Sequence, residues 1–294
     1  MGLVFLLLST SFLLPGACTW HAGGATGCEP TGPAHALPAI LEESSGVAWS
    51  PTHPDVLWSH NDGGHEAALY ALDLQGRLLG TFPLRGVRNR DWEDVATGPC
   101  GAGHCIYVAD TGDNAEVRPQ VSLLRVQEPT VLEDGVSLEP EVFPMVLPDG
   151  PRDVEALFVL PGERIHLITK GRNHAITVYR YPPPLRPGEV VTLEEVQTLT
   201  EGSMAIPSQV TGADADPCGA GVAVRTYETL TFYAVEGGRL VPLEGAEVNL
   251  RTLEEPQGEG VALAPEGQVA LTTEGGNFGG KAALRTLSCR PSGS

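Results

Sequence analysis

The chain has 294 residues, 41% hydrophobic and 19% charged, enough apolar material for one large domain or two small ones, which excludes a disordered protein. Gly (36) and Pro (25) are in excess without a collagen-like period, so the excess belongs to turns. A formal charge of −19 excludes an ordinary nucleic-acid partner, because a phosphate backbone would be repelled, whereas cations suit that field.

Met1 to Leu14 reads MGLVFLLLSTSFLL, an apolar run too short to span a bilayer, followed at once by Pro15-Gly16-Ala17-Cys18. Residues 1–17 are expected to be a signal peptide and 18–34 an N-terminal tether. Gly16 and Ala17 before Cys18 resemble a bacterial lipobox with Cys18 as the lipidated residue, although Pro15 replaces the preferred aliphatic. The expected location is thus outside the cytoplasm: periplasmic, anchored to the outer membrane by lipid, or secreted. No later run approaches 18 consecutive apolar residues.

Six cysteines in an exported chain favour disulfides. Cys100 and Cys105 flank Gly-Ala-Gly-His between two strand-like runs, and a bridge there would staple a short loop. Zinc would need two further ligands, and only His104 is near. With Cys18 lipidated, Cys28, Cys218 and Cys289 remain, and Cys28–Cys289 is the preferred second bridge on the fold argument below.

Five heptads end in proline: SGVAWSP (45–51), EDVATGP (93–99), EALFVLP (155–161), TGADADP (211–217) and EGVALAP (259–265). Each is followed by β-rich runs with period-two alternation. The second runs are 56–60, 106–109, 165–169, 222–226 and 269–273; the third are 68–72, 121–126, 176–181, 230–235 and 282–287. Fourth runs follow at 78–84, 141–147, 190–199 and 247–253. No capped helical stripe appears. Four short antiparallel strands per repeat of about 50 residues describe a propeller blade. The chain therefore reads as an all-β protein, a single β-propeller domain over 35–294 with five four-stranded blades. Six blades or a pair of sandwiches are the alternatives. The last repeat lacks a fourth strand, so the N-terminal run His35–Leu41 is expected to close the last blade and to bring Cys28 near Cys289.

The segments DWEDVA (91–96), YVADTGDNAEVR (107–118), DGPRDVEALF (149–158), TGADADP (211–217), RTYE (225–228) and PQGEGVAL (256–263) resemble those of secreted bacterial β-propellers of unassigned activity. These are more distantly similar in architecture to phytase-like and gluconolactonase-like propellers. That similarity implies calcium or another divalent ion near the central axis and carries over no substrate.

Propeller topology brings the start of each innermost strand to the same face as the loops joining second and third strands. The starts are Ser45, Glu93, Glu155, Thr211 and Glu259. Three carboxylates are thus expected to converge, a costly arrangement unless a cation compensates them. Glu93, Glu155 and Glu259 are the expected metal ligands, with Ca²⁺ the expected ion because it accepts six to eight oxygens in irregular geometry. Arg88, Arg90 and Arg152 are the alternative partners for these acids. The loops start near Asp62, Asp110, Lys170, Arg225 and Glu274. Asp62 and Asp110 are candidate general bases; Lys170, Arg225, Asp113 and Asn114 are candidate substrate-binding groups. The run Asp110–Asn114 permits calcium but lacks the rest of an EF-hand loop, and Asx-turn chemistry also explains it. His60-Asn-Asp-Gly-Gly-His65 reads as a glycine-punctuated turn before it reads as a transition-metal site.

No Gly-x-Ser-x-Gly elbow is present. Residues 275–281 begin like a P-loop, but Ala282 stands where Ser or Thr must reach magnesium. Two function classes remain: a metal-dependent hydrolase of a phosphoester or lactone-type substrate, and a non-catalytic ligand- or protein-binding propeller of the cell envelope. A small anionic substrate or envelope ligand, no nucleic acid and a monomeric state are expected.

Overall fold

The computed structural model describes residues 25–264, 267–275 and 280–291. The expected signal peptide, lipidation at Cys18, Pro265 and most of the P-loop-like run lie outside the described residues.

Two N-terminal strands come first, β1 (Ala25–Pro30) and β2 (His35–Ala36). Blade 1 is β3 (Ser44–Trp49), β4 (Val56–Asn61), β5 (Ala68–Asp73) and β6 (Leu78–Pro83). Blade 2 is β7 (Trp92–Cys100), β8 (Gly103–Asp110), β9 (Val121–Gln127) and β10 (Glu141–Val146). Blade 3 is β11 (Val154–Leu160), β12 (Arg164–Thr169), β13 (Thr177–Arg180) and β15 (Glu194–Thr198); β14 (Val191–Thr192) lies between the last two in sequence. Blade 4 is β16 (Val210–Ala215), β17 (Gly221–Thr226), β18 (Thr229–Glu236) and β19 (Arg239–Asn249). Blade 5 is β20 (Gln257–Leu263), β21 (Gln268–Glu274) and β22 (Ala283–Pro291), with β1 on the outer edge of β22.

The protein is a five-bladed β-propeller of antiparallel four-stranded sheets. Apolar side chains alternate along each strand and meet those of the next blade, which yields five clusters, one per interface. Trp58 and Val95 join blades 1 and 2, Tyr107 and Leu157 join 2 and 3, Phe158 and Val224 join 3 and 4, Phe232 and Leu263 join 4 and 5, and Val47 and Leu271's neighbour Ala270 join 5 and 1. Turn chemistry sets the hairpins. Gly237 and Gly238, both at positive φ, make the two-residue turn from β18 to β19 that L-residues resist.

The ring closes at its N-terminus, but an earlier segment does most of it. Ala25–Pro30, within the stretch expected as a tether, pairs with β22 along its length, whereas the expected strand at 35–41 pairs only through His35 and Ala36 before Ala39–Leu41 turns into a 3-10 helix. Pro38, just ahead of that turn, has no N–H to offer a ladder. Cys28 and Cys289 face each other across this pairing and are bridged, with Cα atoms 4.1 Å apart. Cys100 and Cys105 are bridged across the β7–β8 hairpin. Cys218 is also disulfide-bonded. Such bridges agree with an oxidising compartment. Among the described residues no helix is long and apolar enough to cross a membrane.

Two strand expectations are corrected. Residues 190–199 are not one run: Val191–Thr192 pair parallel to β10 of blade 2, and only Glu194–Thr198 belong to blade 3. The fourth strand of blade 4 is Arg239–Asn249 and ends where 247–253 was expected to continue, because Arg251–Leu253 form a 3-10 turn.

Candidate metal and ligand site at the axial mouth

Each innermost strand pairs regularly with the second except at its start. The register shifts between Ser44 and Val47, Trp92 and Asp94, Val154 and Ala156, Val210 and Gly212, and Gly258 and Val261. The unpaired residues at these five bulges include Ser45, Glu93, Glu155, Thr211 and Glu259. A bulge re-aims a side chain out of the sheet's alternation, and here it turns the three glutamates to one cavity of about 150 Å³ on the axis. Ser45 also lines this cavity, and the Ser45 and Thr211 hydroxyls donate to the carbonyls of Glu93 (2.8 Å) and Glu259 (3.0 Å), stitching blade 1 to blade 2 and blade 4 to blade 5.

The register also says which loop residues face the mouth. Opposite the strand starts stand Asn61, Asp110, Thr169, Thr226 and Thr273, so the next residues, Asp62, Thr111, Lys170, Tyr227 and Glu274, form the second ring. Asp62, Lys170, Tyr227 and Glu274 line the cavity, and Thr111 donates to the Val154 carbonyl at 2.7 Å. Asp110 stands one residue short of this ring, and a slip of one residue moves a side chain to the other face. Arg225 stands two short, within the ladder opposite Gly212. Asp110 pairs with Arg118 at 2.9 Å away from the mouth. Arg225 is completely buried between blades 4 and 5, where it donates to the carbonyls of Gly260 (2.7 Å) and Thr272 (3.0 Å) and pairs with Glu255, so it is no anion-binding group of this mouth. Asp113 is also turned inward, accepting the Arg118 N–H at 2.6 Å, whereas Asn114 lines the cavity. Arg172, not foreseen, lines it beside Lys170.

Residues two before each strand start add a third set. Asp91, Asp153 and Gln257 precede Glu93, Glu155 and Glu259 by one period of the strand, and Glu43 and Gln209 hold the equivalent places. An acid or glutamine at all five is a sequence signal that extending the heptads by two residues would have found. Ligand atoms of Asp62, Asp91 and Glu93 lie within 4.8 Å of one another, as do those of Glu93, Asp153 and Glu155. Either group could hold a metal ion, and Glu93 belongs to both. Glu259 belongs to neither; it accepts from Gln257 Nε2 at 2.8 Å.

Two glycines create the space. A methyl group at Gly112 would overlap the Glu93 carboxylate and come within 2.6 Å of the Asp91 carboxyl carbon, and one at Gly63 would come within 2.6 Å of Asp91 Oδ1. Loops 62–64 and 111–113 therefore leave room for the acids by having no side chain there.

Lys170 Nζ lies 2.6 Å from Glu155 Oε1 and 4.0 Å from Asp153 Oδ2, and Arg172 lies 3.8 Å from the latter. These cations serve the Asp153–Glu155 side. Arg88 and Arg90 form no ion pair with the three glutamates, and Arg152 pairs with Asp149 instead. Among the described residues Asp62, Asp91, Glu93, Glu259 and Glu274 have no Lys or Arg within ion-pair distance. Burial, then Glu155 and Asp62, push Glu93 well above the usual carboxylate range; burial and Glu274 do the same to Glu259. Burial raises Glu155 to about 7 against the pull of Lys170. Burial with Asp62 raises Glu274 to about 8 and Asp91 to about 6. Burial opposes the charge on Lys170, but Glu155, Glu93 and Asp153 outweigh it and keep the ammonium protonated. The mouth is thus an acidic cluster partly relieved by protons, which a divalent ion would displace.

Outside this chamber, a cleft of about 610 Å³ shares Asp62, Gln257 and Glu274 with it and adds Glu42, Glu43 and Lys281. His60 belongs to neither carboxylate group and does not line the chamber: it is buried, edge-on to Trp92, and burial lowers it to about 4. His65 contacts Glu43 at 3.4 Å as part of the turn.

No family model matches the chain, and no curated protein matches it. Among solved structures it is similar to the PQQ-bound form of an aldose sugar dehydrogenase from Streptomyces coelicolor, at 14% identity and TM-score 0.56, covering 91% of this chain and 99% of that one. A glucose dehydrogenase-type oxidoreductase from Thermus thermophilus (17%, TM-score 0.45, 86% and 85% covered) and a 6-phosphogluconolactonase-type protein from Bacteroides uniformis (15%, TM-score 0.39, 85% and 74% covered) are further neighbours. At these identities the likeness is one of fold.

Proposed function

We propose that the acidic mouth binds a divalent cation and that the protein is a metal-dependent hydrolase of a small phosphoester or lactone-type substrate. One observation carries the reading: bulges in blades 2, 3 and 5 aim three buried glutamates at one chamber, and the acids on its Asp62–Asp91–Glu93 side have no resident cation. The donor set is all oxygen, which suits Ca²⁺ best. A divalent ion there would polarise a phosphoryl or carbonyl oxygen and lower the pKa of water.

The chain's own groups fit the other roles. Lys170 and Arg172 line the chamber and would hold an anionic oxygen, taking the part expected of Lys170 and Arg225. Asp62 lines both chamber and outer cleft, and in this reading it would be the carboxylate that takes a proton from water. A second reading, a non-catalytic binding propeller, is favoured by the small volume of the chamber and by the Glu155–Lys170 pair, which already neutralises one acid.

The test is calcium-dependent hydrolysis of p-nitrophenyl phosphate and of a simple lactone by the parent and Glu155→Gln. Loss of hydrolysis together with a weakened metal response supports the enzyme. A metal response without turnover of either compound leaves the binding reading standing.

A further inference from the structure

The heptads that announce the repeat end in proline, and the acidic mouth makes no use of that end. The innermost strands carry it to the opposite face of the ring, about 20 Å away at six residues per strand. There all five blades line a second cavity of about 480 Å³, walled by Trp49, Pro51, Pro99, Val159, Pro161 and Leu263. Among the described residues its lining carries three acids, Asp55, Asp214 and Asp216, and no Lys or Arg; His104 is the one other titratable side chain on its wall. Asp216 is engaged by its own loop, accepting the backbone N–H groups of Cys218, Ala220 and Gly221. Asp214 is 6% exposed, and its two oxygens accept one N–H each, from Ala215 (2.9 Å) and Leu263 (2.8 Å). Every carboxylate oxygen has two lone pairs, so each retains one. No ion pair relieves this acid, and burial pushes it up to about 8.

We propose that the proline-lined cavity is a second binding site, for an organic cation with an apolar body, a lipophilic ammonium whose nitrogen meets Asp214 and whose hydrocarbon part lies against Trp49 and the prolines. Charge complementarity selects this class. With its acid raised to about 8, Asp214 holds a proton at neutral pH until an ammonium draws it off and pairs with the carboxylate. An anion would meet three acids, and a neutral apolar guest would leave the free lone pairs of Asp214 without a partner. An ammonium offers a charge-assisted hydrogen bond to Asp214 while its hydrocarbon body is buried against the apolar wall. The site stands independently of the metal reading at the other mouth.

The experiment is calorimetric titration of the full chain with 2-phenylethylammonium and with 2-phenylethanol, without added divalent ion. The ammonium should bind about tenfold more tightly than the alcohol, the worth of one charge-assisted bond. Asp214→Asn should erase that preference and Glu93→Gln should keep it. Should Asp214→Asn fail to fold, Trp49→Ala decides, since it keeps the acid, removes part of the apolar wall and should weaken both compounds. Equal binding of the two compounds, no binding of either, a preference lost in Glu93→Gln, or unchanged affinities in Trp49→Ala would each overturn the proposal.

Discussion

Asp94 should be the most expensive single carboxylate to remove. It follows Glu93 directly, is fully buried, and accepts three backbone N–H groups from three blades: its own Val95 at 2.9 Å, Leu157 of blade 3 at 2.8 Å and Ala213 of blade 4 at 3.2 Å. Asp94→Ala leaves all three donors buried without an acceptor, and at about 1–3 kcal/mol each the loss should reach about 4 kcal/mol. For a domain of this size that corresponds to a fall of about 10 °C in melting temperature. Burial holds the Asp94 acid well above its ordinary pKa, so a neutral amide resembles it, and Asp94→Asn, which keeps one acceptor oxygen, should lose about half as much. Differential scanning calorimetry of the full chain measures both. An Asp94→Ala protein melting within about 2 °C of the parent would show that the three blades do not depend on this carboxylate.

Glu155 and Glu274 hold protons in the fold more tightly than in the unfolded chain, at about 7 and about 8. Their contribution is therefore intact below the unfolded value and lost as pH rises through the folded ones. In chelator the stability should fall between about pH 5 and pH 8, by on the order of 3 kcal/mol for Glu155 alone and with a matching drop in melting temperature, and Ca²⁺ should restore it at the upper end. A flat profile would remove the electrostatic argument. Gly112→Ala leaves every acid in place but fills their cradle, so it should weaken the Ca²⁺-induced rise in melting temperature by about tenfold in concentration, at a cost of about 1–3 kcal/mol without metal. An unchanged calcium response would mean the ion sits elsewhere. Replacing Cys28 and Cys289 by Ser opens the longest loop and should cost about 5 kcal/mol, against about 2 kcal/mol for Cys100 and Cys105, in paired thermal melts. The reverse order would contradict closure through β1.

The repeat was legible because the same heptad starts every innermost strand, and position one of that heptad became the bulge that feeds the mouth. Glu93, Glu155 and Glu259 were found that way. Asp110 misses the mouth because nothing in a turn's composition fixes which of two neighbouring residues continues the ladder, and one residue changes the face. Arg225 misses it by two residues, because β17 runs on through Thr226 and leaves Arg225 inside the ladder opposite Gly212. Asp94 was passed over for a different reason. Its partners Leu157 and Ala213 lie 63 and 119 residues away, and only the ring brings them to one point. Closure by Ala25–Pro30 was hidden by the short pairing run expected at 35–41, since ATGCEP carries little strand pattern beyond its cysteine.

The central claim is that the glutamates at the strand starts form a cation site. It is tested most directly by isothermal titration of Ca²⁺ into the metal-stripped chain and into Glu93→Gln, the residue shared by both carboxylate groups. Saturable binding in the parent, with release of protons at neutral pH and loss in Glu93→Gln, is the expected result. No binding to the parent, or the same binding in both proteins, would contradict it.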